Sequence, residues 1–120
     1  MTNDSSVEGL CRRGVALMDA GDAAAAAKEF RAAIAAGEAR DGELTQTVTE
    51  AHLGLVRALR AAGRHEQSIG AALALTALTP GDPVAHRELA ESLRQAGHVP
   101  QAEAAAARAR ILEWKVELAE

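Results

Sequence analysis

Two glycines, Gly63 and Gly97, stand 34 residues apart, and the sequence around them repeats in register. At that offset His52 falls on His86, Leu55 on Leu89, Leu59 on Leu93 and Ala72 on Ala106. A fixed period of this length marks a stacked helical repeat, in which each unit is a supersecondary element unable to bury its apolar face alone. The break Pro80-Gly81-Asp82-Pro83 falls between two such units. Aspartate there reads as an N-cap and Pro83 as the first residue of the next helix.

Composition narrows the class. Alanine supplies 30 of 120 residues, tyrosine is absent, and phenylalanine and tryptophan occur once each. Alanine has the best helix propensity and lets helices approach closely. No window alternates with period two, so strands are not expected. The chain therefore reads as all-α and, at this length, as one domain spanning 1–120. Charge is −4, with both signs mixed along the chain. That balance offers no basic footprint for nucleic acid, and nucleic acid is not expected as a partner. The uncharged stretch Ser68 to Gly81 is too short to span a membrane. A single cysteine, Cys11, precludes an internal disulfide and fits a reducing compartment. With a polar start to the chain, the expectation is a cytoplasmic protein. The alanine and arginine bias fits a GC-rich bacterial source.

Breakers and caps divide the chain into six helices. Ser5 with Glu8 reads as a capping box for the first, which runs to about Ala20. Gly21-Asp22 separates it from a second, Ala23 to Ala36, closed by Gly37. Glu38 to Gln46 is polar and carries the turn signal Asp41-Gly42. Thr47-Val48-Thr49-Glu50 can cap a third helix, which Gly63 ends. A fourth runs from about Glu66 to Leu78. The fifth begins at Pro83 and ends at Gly97, and a sixth starts near Pro100 and extends to Leu118.

These residues resemble the tetratricopeptide repeat. Its 34-residue unit favours Leu-Gly at positions seven and eight, glycine at fifteen, alanine at twenty, an aromatic at twenty-four and proline at thirty-two. Units of about 7–40, 49–82 and 83–116 follow, with an insertion at 41–48. The first matches with Leu10, Gly14, Leu17, Gly21, Ala26, Phe30 and Ala33. The second matches with Leu55, Leu59, Gly63 and Pro80, and the third with Leu89, Leu93, Gly97, Ala102 and Ala109. Arg13, Ser68, Ala72 and Ala106 depart from the pattern. The resemblance implies an α-α superhelix of three antiparallel helix pairs with an extended C-terminal helix. It also implies that the first helix of each pair lines a concave groove.

On that geometry the groove residues are Glu8, Cys11, Arg12, Val15 and Met18 from the first unit. The second contributes Glu50, Leu53, Arg57 and Arg60, and the third Val84, Arg87, Glu91 and Arg94. Arginine suits forked contacts to carboxylates. The expected partner is thus a protein segment with acidic residues beside an apolar anchor. The competing expectation is that these arginines are solvated or pair with Glu50, Glu88 and Glu91. The carboxylate clamp of chaperone-binding family members is not matched, since its positions hold Cys11, Val15, Gly54, Val84 and Glu88.

The unit-three positions Glu103 and Arg110 replace Ala27 and Ile34, and Ile69 and Thr76, of the earlier units. A polar outer face suits a terminal repeat, so the sequence reads as a complete short array. Ile111, Trp114 and Leu118 form one further helical stripe. It either folds onto the preceding pair or serves self-association as a homodimer. His52 and His86 share a repeat position but lack further ligands for a metal. No nucleophile–base pair and no phosphate-binding glycine loop occurs. The chain therefore reads as no enzyme, with no catalytic residue, metal or cofactor. The function expected is a protein–protein interaction module, adaptor or chaperone-like, with a self-associating scaffold as the alternative.

Overall fold

The structure is a computed structural model that describes residues 5–40 and 42–119. Six helices follow in order: α1 (Val7–Asp19), α2 (Ala23–Arg40), α3 (Gln46–Ala61), α4 (His65–Leu78), α5 (Pro83–Gln95) and α6 (Val99–Ala119). No strand occurs among the described residues. Consecutive helices pack as antiparallel pairs. Along one side the backbone of α1 also approaches α3 and that of α3 approaches α5, whereas the backbones of α2, α4 and α6 stay apart, α2 reaching α4 through Arg31 Nη2, which donates to Gln67 Oε1 at 3.3 Å. The slab measures 46 × 33 × 22 Å.

Short polar side chains start α1, α3 and α5, though not always where the sequence placed them. Ser6, not Ser5, caps α1, its Oγ accepting from Gly9 N at 3.0 Å. The hydroxyl must reach an N–H three residues on, and from Ser6 that donor is Gly9. Thr45 caps α3 by accepting from Val48 N at 3.2 Å, so α3 begins before the expected Thr47. Asp82 caps α5 through Val84 N, with Pro83 as its first residue, as the sequence indicated.

The three tight turns are the same object. Gly21, Gly63 and Gly97 have φ of 83°, 77° and 88°. In the second turn Gly63 N donates to Arg60 O at 3.0 Å and Arg64 N to Leu59 O at 2.9 Å. The other two repeat this pair of bonds, which satisfies the last carbonyls of α1, α3 and α5. A Cβ at Gly63 would meet no atom within 4 Å. Gly63→Ala is therefore expected to cost about 1 kcal/mol through backbone conformation alone, read as a shift in urea midpoint with an unchanged slope.

Gly37 does not end α2. The helix runs through it to Arg40, and Gly37 is buried because a Cβ there would lie 2.8 Å from Val48 Cγ2. The glycine serves the approach of α3 rather than a turn. Of the segment expected as an insertion, 41–48, α2 stops just short at Arg40 and α3 takes up residues 46–48.

Phe30 holds the first two units together. Its ring lies where a Cβ on Gly14 would come within 2.7 Å and one on Gly54 within 2.5 Å. The ring, 3% exposed, thus slots between α1 and α3 in a space two glycines leave open. Ala26, Ala27, Leu55, Ala58 and Leu59 surround it. The second unit answers the same requirement with sizes exchanged. Val56 stands where Gly14 does and Ala72 where Phe30 does, and both are fully buried in one cluster with Leu89 and Ala90.

The joint between the second and third units adds polar contacts to this apolar cluster. Ser68 Oγ lies 2.9 Å from Val56 O and 2.7 Å from Ser92 Oγ, and both serines are fully buried. Ser92 Oγ also accepts from Arg60 Nη1 at 3.1 Å. Arg60 Nη2 and Arg57 Nη2 reach the two oxygens of Glu88 at 2.8 and 2.9 Å. Serine in the alanine position of the repeat is explained by these acceptors, since a buried hydroxyl needs a partner.

Candidate partner-binding cleft

The concave side carries a recess of about 550 Å³ between α1 and the start of α3. Cys11 and Val15 form its apolar wall, Glu8, Asp19 and Glu50 its acidic rim, and Arg12 its cation. A second recess of about 230 Å³ adjoins it, sharing Cys11, Val15 and Glu50 and adding Phe30, Leu53 and Arg57. Phe30 reaches this floor from α2 because Gly14 and Gly54 leave its ring a passage. Val15 is 54% exposed, unusual for a valine on an inner helix.

The expected groove residues divide into two groups. Glu8, Cys11, Arg12, Val15, Glu50 and Leu53 do line the recesses, and Arg57 borders the smaller one. Met18 packs with the Phe30 cluster and is not among the lining residues. The four arginines do not converge on open space. Arg57 and Arg60 grip Glu88, Arg87 crosses to Glu113 on α6, and Arg94 pairs with Glu91 one turn earlier. Of the two readings of these residues, internal pairing is what the structure contains. Glu88 occupies in the third unit the position Gly54 holds in the second. Between α1 and α3 the Phe30 ring fills the space beside Gly54 and leaves a recess above itself, whereas between α3 and α5 the Arg57–Glu88–Arg60 cluster stands at the corresponding place. In the sequence Glu88 is one of three carboxylates able to meet these arginines, and its position facing Arg57 and Arg60 one unit back is the signal that singles it out.

Electrostatics follow from this arrangement. Burial alone would raise the Glu88 carboxyl, but hydrogen bonds and charge from Arg57 and Arg60 outweigh it and hold it below the usual carboxylate range. Cys11 moves the other way. Burial, then the negative charges of Glu50 and Glu8, push its thiol upward, and Sγ lies 3.8 Å from Thr47 O. Alkylation of Cys11 by iodoacetamide at pH 8 is expected to run several-fold slower than that of glutathione, because thiolate is the reactive form. Glu50→Gln is expected to raise that rate.

The remaining candidates are structural. His86 Nε2 lies 2.9 Å from Pro80 O, tying α5 to its preceding loop. Burial lowers the pKa of His52. No group of three His, Cys, Asp or Glu able to hold a metal occurs among the described residues. No described helix is long and apolar enough to cross a membrane.

The C-terminal stripe does not fold back. Ile111, Trp114 and Leu118 are 47%, 69% and 79% exposed. Leu112, one position round the helix, is the residue that packs inward, at 6%. In the 34-residue register Leu112 corresponds to Leu78, the last residue of α4, so α6 continues seven residues past its counterpart. The Arg87–Glu113 ion pair ties it down at that point, only one turn from the start of α5. Glu103 and Arg110 are both exposed.

Three antiparallel helix pairs, inner helices in contact and a cleft on their side, define an α-solenoid of the repeat-scaffold class. The tetratricopeptide repeat family model matches residues 11–83 and again 53–114, and the chain belongs to that family. A solved structure named MamA MSR-1 C2 superposes with a TM-score of 0.75 at 19% identity, over 93% of this chain. The chain spans 60% of that structure's length, and at this identity the likeness is one of fold. Comparison with curated proteins returns no match. Repeats of this family, in this superhelix, make the chain a protein–protein interaction module.

Proposed function

We propose that the module works as an adaptor or chaperone-like factor of the cytoplasm, holding one segment of a partner protein in the α1–α3 cleft. The observation that carries this reading is the apolar wall of the 550 Å³ recess, with Val15 left more than half exposed beside Cys11. Apolar side chains that an inner helix leaves uncovered are the usual anchor sites of such grooves. Selection from a displayed random-peptide library against wild type and Val15→Asp tests it. Because Val15 is exposed, the substitution should leave the helical CD spectrum and urea midpoint unchanged. Peptides that bind wild type and lose at least tenfold on Val15→Asp support the cleft. Peptides indifferent to it place binding elsewhere.

A second reading, self-association through α6, is favoured by the exposure of Trp114 and Leu118. A shallow apolar recess beside Ile111 and Trp114 adds to it. Light scattering across a dilution series decides. A wild-type dimer broken by Trp114→Ala supports an interface there; monomer at every concentration removes it.

A further inference from the structure

We propose that the segment taken by the α1–α3 cleft is cationic as well as aliphatic, the opposite sign from what the arginine content of the sequence suggested. This rests on the cleft reading and specifies its partner. The basis is which charges the fold leaves unmatched. The arginines expected to bind carboxylates are matched inside the chain: Arg57 and Arg60 by Glu88, Arg87 by Glu113, Arg94 by Glu91. The carboxylates of the cleft are not. Glu8 and Asp19 have no ion-pair partner among the described residues, and Glu50 has only an amide, Gln46 Nε2 at 3.2 Å. Three carboxylates thus face the recess against the single guanidinium of Arg12.

Their charge acts within the recess, not merely near it. The thiol of Cys11, on the recess wall, is pushed upward in part by both Glu50 and Glu8. A concave, partly apolar wall focuses such a field and favours a counter-charge. The spacing adds a constraint. Glu8 and Asp19 lie at opposite ends of one face of α1, 11 residues apart, which at 1.5 Å per residue is about 16 Å. Val15 lies between them and Glu50 faces them from α3. The fitting occupant carries an aliphatic side chain with lysine or arginine on either side. The cations would be about five residues apart if the segment is extended, or three turns apart if helical.

Two matched peptides test the sign, acetylated KLAKLAKKLAKLAK and ELAELAEELAELAE. Each is titrated calorimetrically into wild type, Glu8→Lys/Glu50→Lys and Glu103→Lys/Glu117→Lys. The last pair changes net charge equally but lies on exposed positions of α6. The expected result is at least tenfold tighter binding of the lysine peptide to wild type. That binding should fall at least tenfold in the cleft variant, fall less than threefold in the α6 variant, and weaken as salt is raised. Preference for the glutamate peptide, binding of neither, or an equal loss in the α6 variant overturns the proposal. So does tighter binding of a peptide of residues 105–119, which would place a second copy of the chain in the cleft. Failure of the sign and failure of the cleft are distinguishable. A glutamate peptide whose binding is lost in Val15→Asp leaves the cleft standing and removes only the cationic partner.

Discussion

Phe30→Ala is expected to destabilise the protein by about 3–5 kcal/mol, the range for deleting a buried aromatic ring without collapse of the site. The ring cannot be replaced by relaxation, because the positions flanking it are Gly14 and Gly54, which have no side chain to move inward. The loss falls on the joint that forms the cleft. A small domain has only about 5–15 kcal/mol of stability in total. The variant should therefore show a large drop in urea midpoint and weakened protection of α1 amides in hydrogen exchange. A double-mutant cycle sharpens the argument. Gly14→Val alone should be strongly destabilising, since even its Cβ would lie 2.7 Å from the ring. Combined with Phe30→Ala it reproduces the Val56/Ala72 pair of the second unit. The double variant should be more stable than the sum of the single losses by at least 1 kcal/mol, within the range for residues in contact. Simple additivity would show that the two positions do not share one space.

The second large effect is expected at Glu88. Arg60 is 14% exposed in its side chain and Glu88 13%. Glu88→Ala leaves Arg60 buried with only Ser92 Oγ and a backbone carbonyl as acceptors. Removing one partner of a buried pair costs about 3–5 kcal/mol. Arg57, half exposed, adds little to that figure because solvent screens it. The loss is expected to depend on pH. The Glu88 carboxyl is held low by the two arginines. Its contribution to stability is thus fully present above the unfolded carboxyl value of about 4.3. It disappears as pH falls through the lower folded value. The gap in urea midpoint between wild type and Glu88→Gln should be constant from pH 6 to 8 and narrow below about pH 4. A gap that does not change with acid would mean the pair contributes geometry but no charge.

Much of the architecture was legible without coordinates. The 34-residue offset between Gly63 and Gly97, the Pro80–Pro83 break and the Asp82 cap each specify a local event, and each is where the structure has it. Boundaries that depended on contacts were not legible. Gly37 looks like a stop signal, but its missing side chain makes room for Val48 of another helix, and α2 passes through it. The candidate site was half legible. Cys11, Val15 and Leu53 follow from repeat position alone, whereas the state of Arg57 and Arg60 turns on where Glu88 lies, 31 and 28 residues away.

The sequence by itself determined the class, the number of helices, the turns and the side of the superhelix that faces inward. These rest on helical periodicity and on glycine's access to positive φ, which act within a few residues. The tertiary structure decided which charges are spent inside the chain and which face outward. It also decided that the first joint keeps a recess above the Phe30 ring where the second has the Arg57–Glu88–Arg60 cluster, and that Trp114 stands in solvent while Leu112 packs. Pairing of charges and the sharing of one space by Phe30, Gly14 and Gly54 depend on distances between helices. A linear period does not contain those distances.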